Sequence, residues 1–221
     1  MVNATIRLGH YRTLQSDYPG AIEHYQHAMK LGIEIDYPKG KADSLGRMAW
    51  AVFKQGHGER AFAMFREAIQ ISRELENNVS LKFHLNNLGS AMVTSGNFAE
   101  GQNLLEESLQ IDQDLGEYGD IQKINLARVA LFKGELDKAK LLLEGVRTHY
   151  EEETFKRGIG TCLYYQARIH LLEGNFDESG KLAVDCRDIF QETGDENRAD
   201  LASELILQIA ERSTLNEIVD F

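Results

Sequence analysis

Apolar positions along this chain recur at the spacing of one helix face, and they do so in blocks that repeat. Ala21 is followed by Tyr25 and Ala28, Ala61 by Phe65 and Ala68, Gly101 by Leu105 and Ser108, Ala139 by Leu143 and Val146, and Ser179 by Ala183 and Cys186. The i, i+4, i+7 interval lines one side of an α-helix. Each block closes a short polar segment: Ser16–Ala21, Gly56–Ala61, Gly96–Gly101, Gly134–Ala139 and Gly174–Ser179. Their last residues stand 40, 40, 38 and 40 positions apart. Upstream of each turn lies a second pattern, seen at Leu8-Gly9, Met48-Ala49, Leu88-Gly89 and Leu126-Ala127. The unit is therefore helix, turn, helix, and it occurs five times.

The punctuation agrees. Pro19 and Pro38 are the only prolines, so most of the chain runs without a proline break. Gly56, Gly96, Gly134 and Gly174 stand where a helix end needs a left-handed residue. Tyr18, Phe98, Leu136 and Phe176 follow in the turns and can plug the corner between two helices. The second turn has Gly58 at that place, which predicts a looser corner. The small residue opening each second helix lets two backbones approach closely.

This pattern resembles the tetratricopeptide repeat, whose signature sets Leu-Gly before the turn and a small residue four positions before a large one after it. The resemblance implies an all-α fold, a right-handed superhelix of five helical hairpins. Their expected bounds are 3–38, 39–78, 79–118, 119–154 and 155–195. A capping helix over 196–212 follows, with Leu201, Leu205, Ile206 and Ile209 on its covering stripe, and then a tail, 213–221. Two departures stand out. The step is near 40 instead of 34, and the closing proline is missing from every copy. The second helix is expected to absorb the difference, ending near Gly32, Asn77, Gly116, Glu152 and Gly194. Long repeats of this kind are similar to those of kinesin light chains, Gram-positive peptide-pheromone receptors and large bacterial ATP-binding regulators. Leu85–Gly89 and Glu192–Asp195 look most like the bacterial forms. The N-terminal end shows no cap like the C-terminal one, as in a domain cut from a larger protein.

Composition narrows the function. With 43% apolar and 27% charged residues the chain is a folded, soluble type. A formal charge of −11 argues against nucleic acid as the main partner. No long apolar run or signal-type N-terminus is present, so neither membrane nor export is expected. Cys162 and Cys186 lack metal spacing and read as buried free thiols of a cytoplasmic protein. His24 and His27 have no acidic or thiol partner at metal spacing, and no phosphate loop or nucleophile elbow occurs. No cofactor, metal or catalytic residue is expected.

In such a stack the first helix of each hairpin lines the concave side. Counting fourteen back from each small residue gives one inward row: Arg7, Arg47, Asn87, Asn125 and Tyr165. Counting eleven back gives another: His10, Trp50, Ser90, Arg128 and Arg168. Asparagine amides can pair with both groups of an extended peptide backbone, and arginines can fork onto carboxylates. The same arginines would aid solubility if they paired with neighbouring acids such as Asp43. Their recurrence at the repeat spacing favours a groove, with Trp50 and Tyr165 as anchors. The lysine and asparagine clamp of cochaperone repeats is not matched, since Ile6, His10, Gly46 and Trp50 hold the corresponding positions.

The expected function is binding of a protein or an extended peptide of acidic character, in a scaffold or the sensor domain of a bacterial regulator. The alternative is an oligomerisation domain whose groove takes the acidic, apolar segment Leu215–Phe221 of its own chain or of a neighbouring copy.

Overall fold

The structure is a computed structural model that describes the backbone of residues 1–219 and the side chains of residues 1–214. The described residues form eleven α-helices and no strand: α1 (Val2–Leu14), α2 (Tyr18–Glu34), α3 (Pro38–Lys54), α4 (Gly58–Glu74), α5 (Asn78–Thr94), α6 (Phe98–Asp114), α7 (Asp120–Lys133), α8 (Leu136–Glu152), α9 (Lys156–Leu172), α10 (Phe176–Glu192) and α11 (Glu196–Val219). The alternative resting on Leu215–Phe221 concerns side chains outside the described residues.

Both helices of a hairpin share the extra length. In the second and third hairpins α3, α4, α5 and α6 are each 17 residues long. A 17-residue helix followed by a three-residue connection, taken twice, gives the 40-residue step. Two antiparallel helices bury their facing stripes fully only when they match in length. The sequence-based expectation that the second helix alone lengthens is corrected on this point.

One device closes nearly every helix. After α1, Ser16 has φ +59°, and its N–H bonds to Thr13 O at 3.0 Å while that of Asp17 bonds to Arg12 O at 3.0 Å. That paired pattern satisfies carbonyls a helix end would leave open. It recurs at Gly56, Gly96, Gly116, Gly134, Gly174 and Gly194, where the left-handed conformation is easy. It also recurs at Asp36, Glu76 and Thr154, where it is strained, most of all for β-branched Thr154.

The chain divides into two compact units, Met1–Gln122 and Lys123 onward. In the first, α1, α3 and α5 touch side by side, whereas the described residues of α2, α4 and α6 do not approach one another at the backbone. Long side chains span the gap between α4 and α6, as in Arg66–Glu100 (3.0 Å) and Arg73–Glu107 (2.6 Å). A stack whose first helices are close and whose second helices are splayed curves toward the first, so α1, α3 and α5 form the inner face of this unit.

The core of the first unit is one continuous cluster that includes Tyr25, Leu45, Val52, Phe65, Leu85 and Met92. The crossing of α5 and α6 uses glycine on both sides. A Cβ on Gly101 would stand 2.9 Å from Gly89 O, and one on Gly89 would stand 3.0 Å from Gly101 O. The second hairpin's corner is filled differently from the others. Phe62, buried one turn into α4, lies over Gly58 and packs on Phe53 with ring centroids 6.1 Å apart.

In the second unit, α9 touches α11 as well as α10. There Ser179 Oγ donates to Ala167 O at 2.8 Å, placing a hydrogen bond at the α9–α10 crossing. The face of α11 that covers α9 and α10 carries Ala199, Ala202, Leu205 and Ile209, all buried. Leu201, expected on that stripe, lies off it and is 49% exposed. Cys162 and Cys186 are buried and form no disulfide, and burial pushes the Cys186 thiol up to about 12, away from reactivity.

Candidate functional site

Helical period decides which side chains of α3 reach the inner face. Most of its middle is buried: Leu45, Met48, Ala49, Ala51 and Val52 all belong to the core cluster of this unit. The stripe left over is Asp43, Arg47, Trp50 and Lys54, spaced 4, 3 and 4. On α5 the corresponding stripe is Phe83, Asn87, Ser90 and Thr94, of which Ser90 is buried. On α1 it includes Arg7 and His10, both exposed.

Three residues of α5 grip three of α3. Ser80 Oγ donates to Asp43 Oδ1 at 2.7 Å. The Arg47 guanidinium carbon sits 4.8 Å above the Phe83 ring. The His84 ring lies against Gly46, where a Cβ would come 2.2 Å from Nδ1. His84 is fully buried, neither ring nitrogen has a hydrogen-bond partner, and Nε2 is 3.9 Å from Asp43 Oδ1. Burial, and after it the charge of Arg47, lowers the His84 pKa to about 4, so the ring is neutral near pH 7. His10 is shifted down by the same two causes in the same order. Tyr25 moves the other way. Burial raises it, against the hydroxyl of Thr13, whose Oγ1 is 3.1 Å from the phenol, and the nearby charge of Arg47.

Charge pairing falls unevenly on the arginines. Arg12, Arg66, Arg73, Arg147, Arg157, Arg187 and Arg198 each stand within 4 Å of a carboxylate. Among the described residues Arg7, Arg47 and Arg168 do not, although the chain carries 35 acids against 24 basic residues. Exposed Arg60, and Arg212 near the C-terminal end of the described side chains, are likewise unpaired. Asp43, the acid expected to neutralise Arg47, is turned to Ser80 instead. The Asn87 amide, half exposed, has no intramolecular hydrogen bond among the described residues. Trp50 packs on Phe53, with centroids 5.8 Å apart, and takes the Lys54 ammonium 5.9 Å from its own.

In the second unit Asn125 is buried, and its Oδ1 accepts from Arg128 Nη1 at 2.9 Å. Tyr165 meets Tyr164 edge-on at 5.3 Å. Together with Thr161, Phe190, Arg198 and Leu201 these rings border a small cavity of about 70 Å3. Of the eight predicted residues, then, Asn125 and Arg128 are brought into direct contact, Arg47 and Asn87 share the face where α3 meets α5, and Tyr165 and Arg168 share a helix.

Sequence reasoning missed Phe83 and His84. Counting eighteen back from each small residue would have given Phe83 with Asp43, one helical turn before the first row. Counting seven back gives a further row containing Leu14, Phe132 and Leu172, each at least half exposed. His84 had no such signal, because its packing partner is the missing side chain of Gly46.

A curved layer of helical hairpins is the architecture of a helical-repeat solenoid. Residues 1–74 match the tetratricopeptide-repeat family in sequence. No curated protein matches the sequence. Solved structures of the same fold extend the likeness over the chain. The nearly identical TPR-like repeats assigned to a kinesin light chain of Podosopora anserina superpose with a TM-score of 0.64 at 18% identity, covering 87% of this chain and 96% of that one. Aspartyl phosphate phosphatase F from Bacillus subtilis gives 0.73 at 15% identity, over 98% of this chain and 58% of its own. A Rap protein complexed with Competence and Sporulation Factor gives 0.70 at 12% identity, over 96% of this chain and 64% of its own. No helix of the described residues is long and apolar enough to cross a membrane.

Proposed function

We propose that this chain is a non-catalytic binding module that holds a protein or an extended peptide of acidic character on the inner faces of its first helices. The observation that carries this reading is the pairing contrast. In an acidic chain, arginines elsewhere are mostly neutralised, while Arg7, Arg47 and Arg168 on the predicted inward rows are left without a carboxylate. Guanidinium groups held open in this way favour an anionic partner. The open amide of Asn87 adds main-chain recognition, and the ring of Trp50 adds an apolar contact. A Rap protein is itself seen in complex with a factor, which supports ligand binding by this fold. A place in the cytoplasm and a role as the sensor part of a bacterial regulator fit the same reading.

The test is affinity capture from bacterial lysate. Wild type is compared with an Arg47→Ala, Asn87→Ala variant and with an Arg66→Ala, Arg73→Ala variant altered on the second-helix layer. All three are first checked for unchanged helicity and unfolding midpoint. A partner retained by wild type and the outer variant, and lost from the inner one, is the expected result. Loss from the outer variant alone would move the site to the other layer and refute the assignment.

A further inference from the structure

We infer that Arg47 is an anion receptor whose ligand is a carboxylate flanked by an apolar side chain; this rests on the inner-face reading above. Three features of the first unit converge on it. The guanidinium carbon lies over the Phe83 ring, 4.8 Å from its centroid. That contact rests the group on a neutral partner and leaves its charge uncancelled, which suits a forked bond to a carboxylate. No described acid stands within 4 Å, and the nearest candidate, Asp43, is bonded to Ser80. The field of Arg47 reaches both His10 and buried His84 and contributes to lowering their pKa values. Its charge is thus felt across this face and not cancelled locally.

The walls beside it are aromatic. Trp50 lies one helical turn along α3 and is half exposed, and Phe83 is half exposed on α5. A carboxylate on Arg47 therefore places the neighbouring part of its ligand against Trp50. Asn87, one turn beyond Phe83 on α5, stands ready for that ligand's main chain. The ligand class that fits is an extended acidic segment in which an acidic residue and an apolar residue stand two positions apart. In an extended chain residues two apart share a side, so one can meet Arg47 while the other meets Trp50.

Trp50 is the only tryptophan in the chain, so its fluorescence reports on this position alone. The probe is a blocked nonapeptide in which glutamate and leucine stand two positions apart on one side of the extended chain, titrated at low ionic strength, beside its glutamine counterpart and inorganic phosphate. A saturable change in Trp50 emission is expected with the glutamate peptide. At least a tenfold weaker response is expected with the glutamine peptide or with Arg47→Ala. Arg47→Lys, which keeps the charge and loses the fork, should fall between. Far-ultraviolet circular dichroism of both variants establishes that they fold. Equal binding by wild type and Arg47→Ala overturns the receptor while leaving the inner face standing, because Trp50 would still have sensed the peptide. Absence of any response to the glutamate peptide overturns the receptor too, and the capture experiment then decides the inner face separately. Displacement of the peptide by phosphate at equal concentration overturns the choice of carboxylate.

Discussion

His84 is a polar ring placed where the neighbouring repeats put residues without a ring. Its counterparts one repeat away on either side are Ser44 and Gln122, and two repeats on it is Cys162. It fits because Gly46 leaves room, yet both its ring nitrogens are buried without a hydrogen bond. An unmet buried donor costs roughly 1–3 kcal/mol, so the junction of α3 and α5 is stable despite this ring and not because of it. The ring also ties stability to pH. Its pKa is lowered from 6.5 to about 4 in the folded protein, chiefly by burial and secondly by Arg47. The unfolded chain therefore takes up a proton first as pH falls. The neutral ring's full contribution is present above about pH 6.5 and is lost as pH falls through the folded pKa. The shift corresponds to about 3 kcal/mol. Urea unfolding at pH 7, 5.5 and 4 should show this loss in wild type. His84→Leu, with a neutral side chain, should lack that part of it. Parallel pH profiles for the two proteins would refute the assignment.

At the scale of elements, the sequence was most legible where backbone geometry leaves few choices. A helix pair that crosses closely needs small residues, so Ala21, Ala61, Gly101, Ala139 and Ser179 announced the five crossings, and all are buried. A helix end that turns through a left-handed residue favours glycine, so most of the turns were readable too. Ser16, Asp36, Glu76 and Thr154 do the same work without glycine and gave no such sign, because the paired hydrogen bonds of the turn hold them there. The inward rows proposed for the candidate site rest on counting alone. What Arg47 and Asp43 touch did not, since their partners Phe83 and Ser80 come from a helix about 37 residues away. The doubly glycine crossing supplies a sharp check. Gly101→Ala puts a methyl group 2.9 Å from Gly89 O and 2.7 Å from Val93 Cγ2, contacts that backbone must move to relieve. A loss of about 2–3 kcal/mol is expected in chemical denaturation, despite alanine's better helix propensity. Introducing Ala61→Gly at the equivalent point of the second hairpin should cost less, about 1 kcal/mol, because it only removes a methyl and adds flexibility. An unchanged or raised midpoint for Gly101→Ala would show that the crossing is looser than it is drawn.

At the scale of the molecule, every helix contact within a unit joins either consecutive helices or helices two apart in sequence. Among the described residues nothing ties α1 to α6 directly, or α8 to α11. Stability in such a stack is a sum of hairpin terms and nearest-neighbour terms, so damage should stay near its source. Gly101→Ala is the probe for this as well, since it weakens the third hairpin without touching surface charge. Amide hydrogen exchange should accelerate in α5 and α6, and to a lesser degree in α4. Amides of α9 and α10, which belong to the second unit, should exchange at wild-type rates under native conditions. A uniform acceleration along the whole chain would mean that the two units unfold as one cooperative body. An effect confined to one of them would show that a ligand bound on α1, α3 and α5 can stiffen its own unit while leaving α9 and α10 as they were.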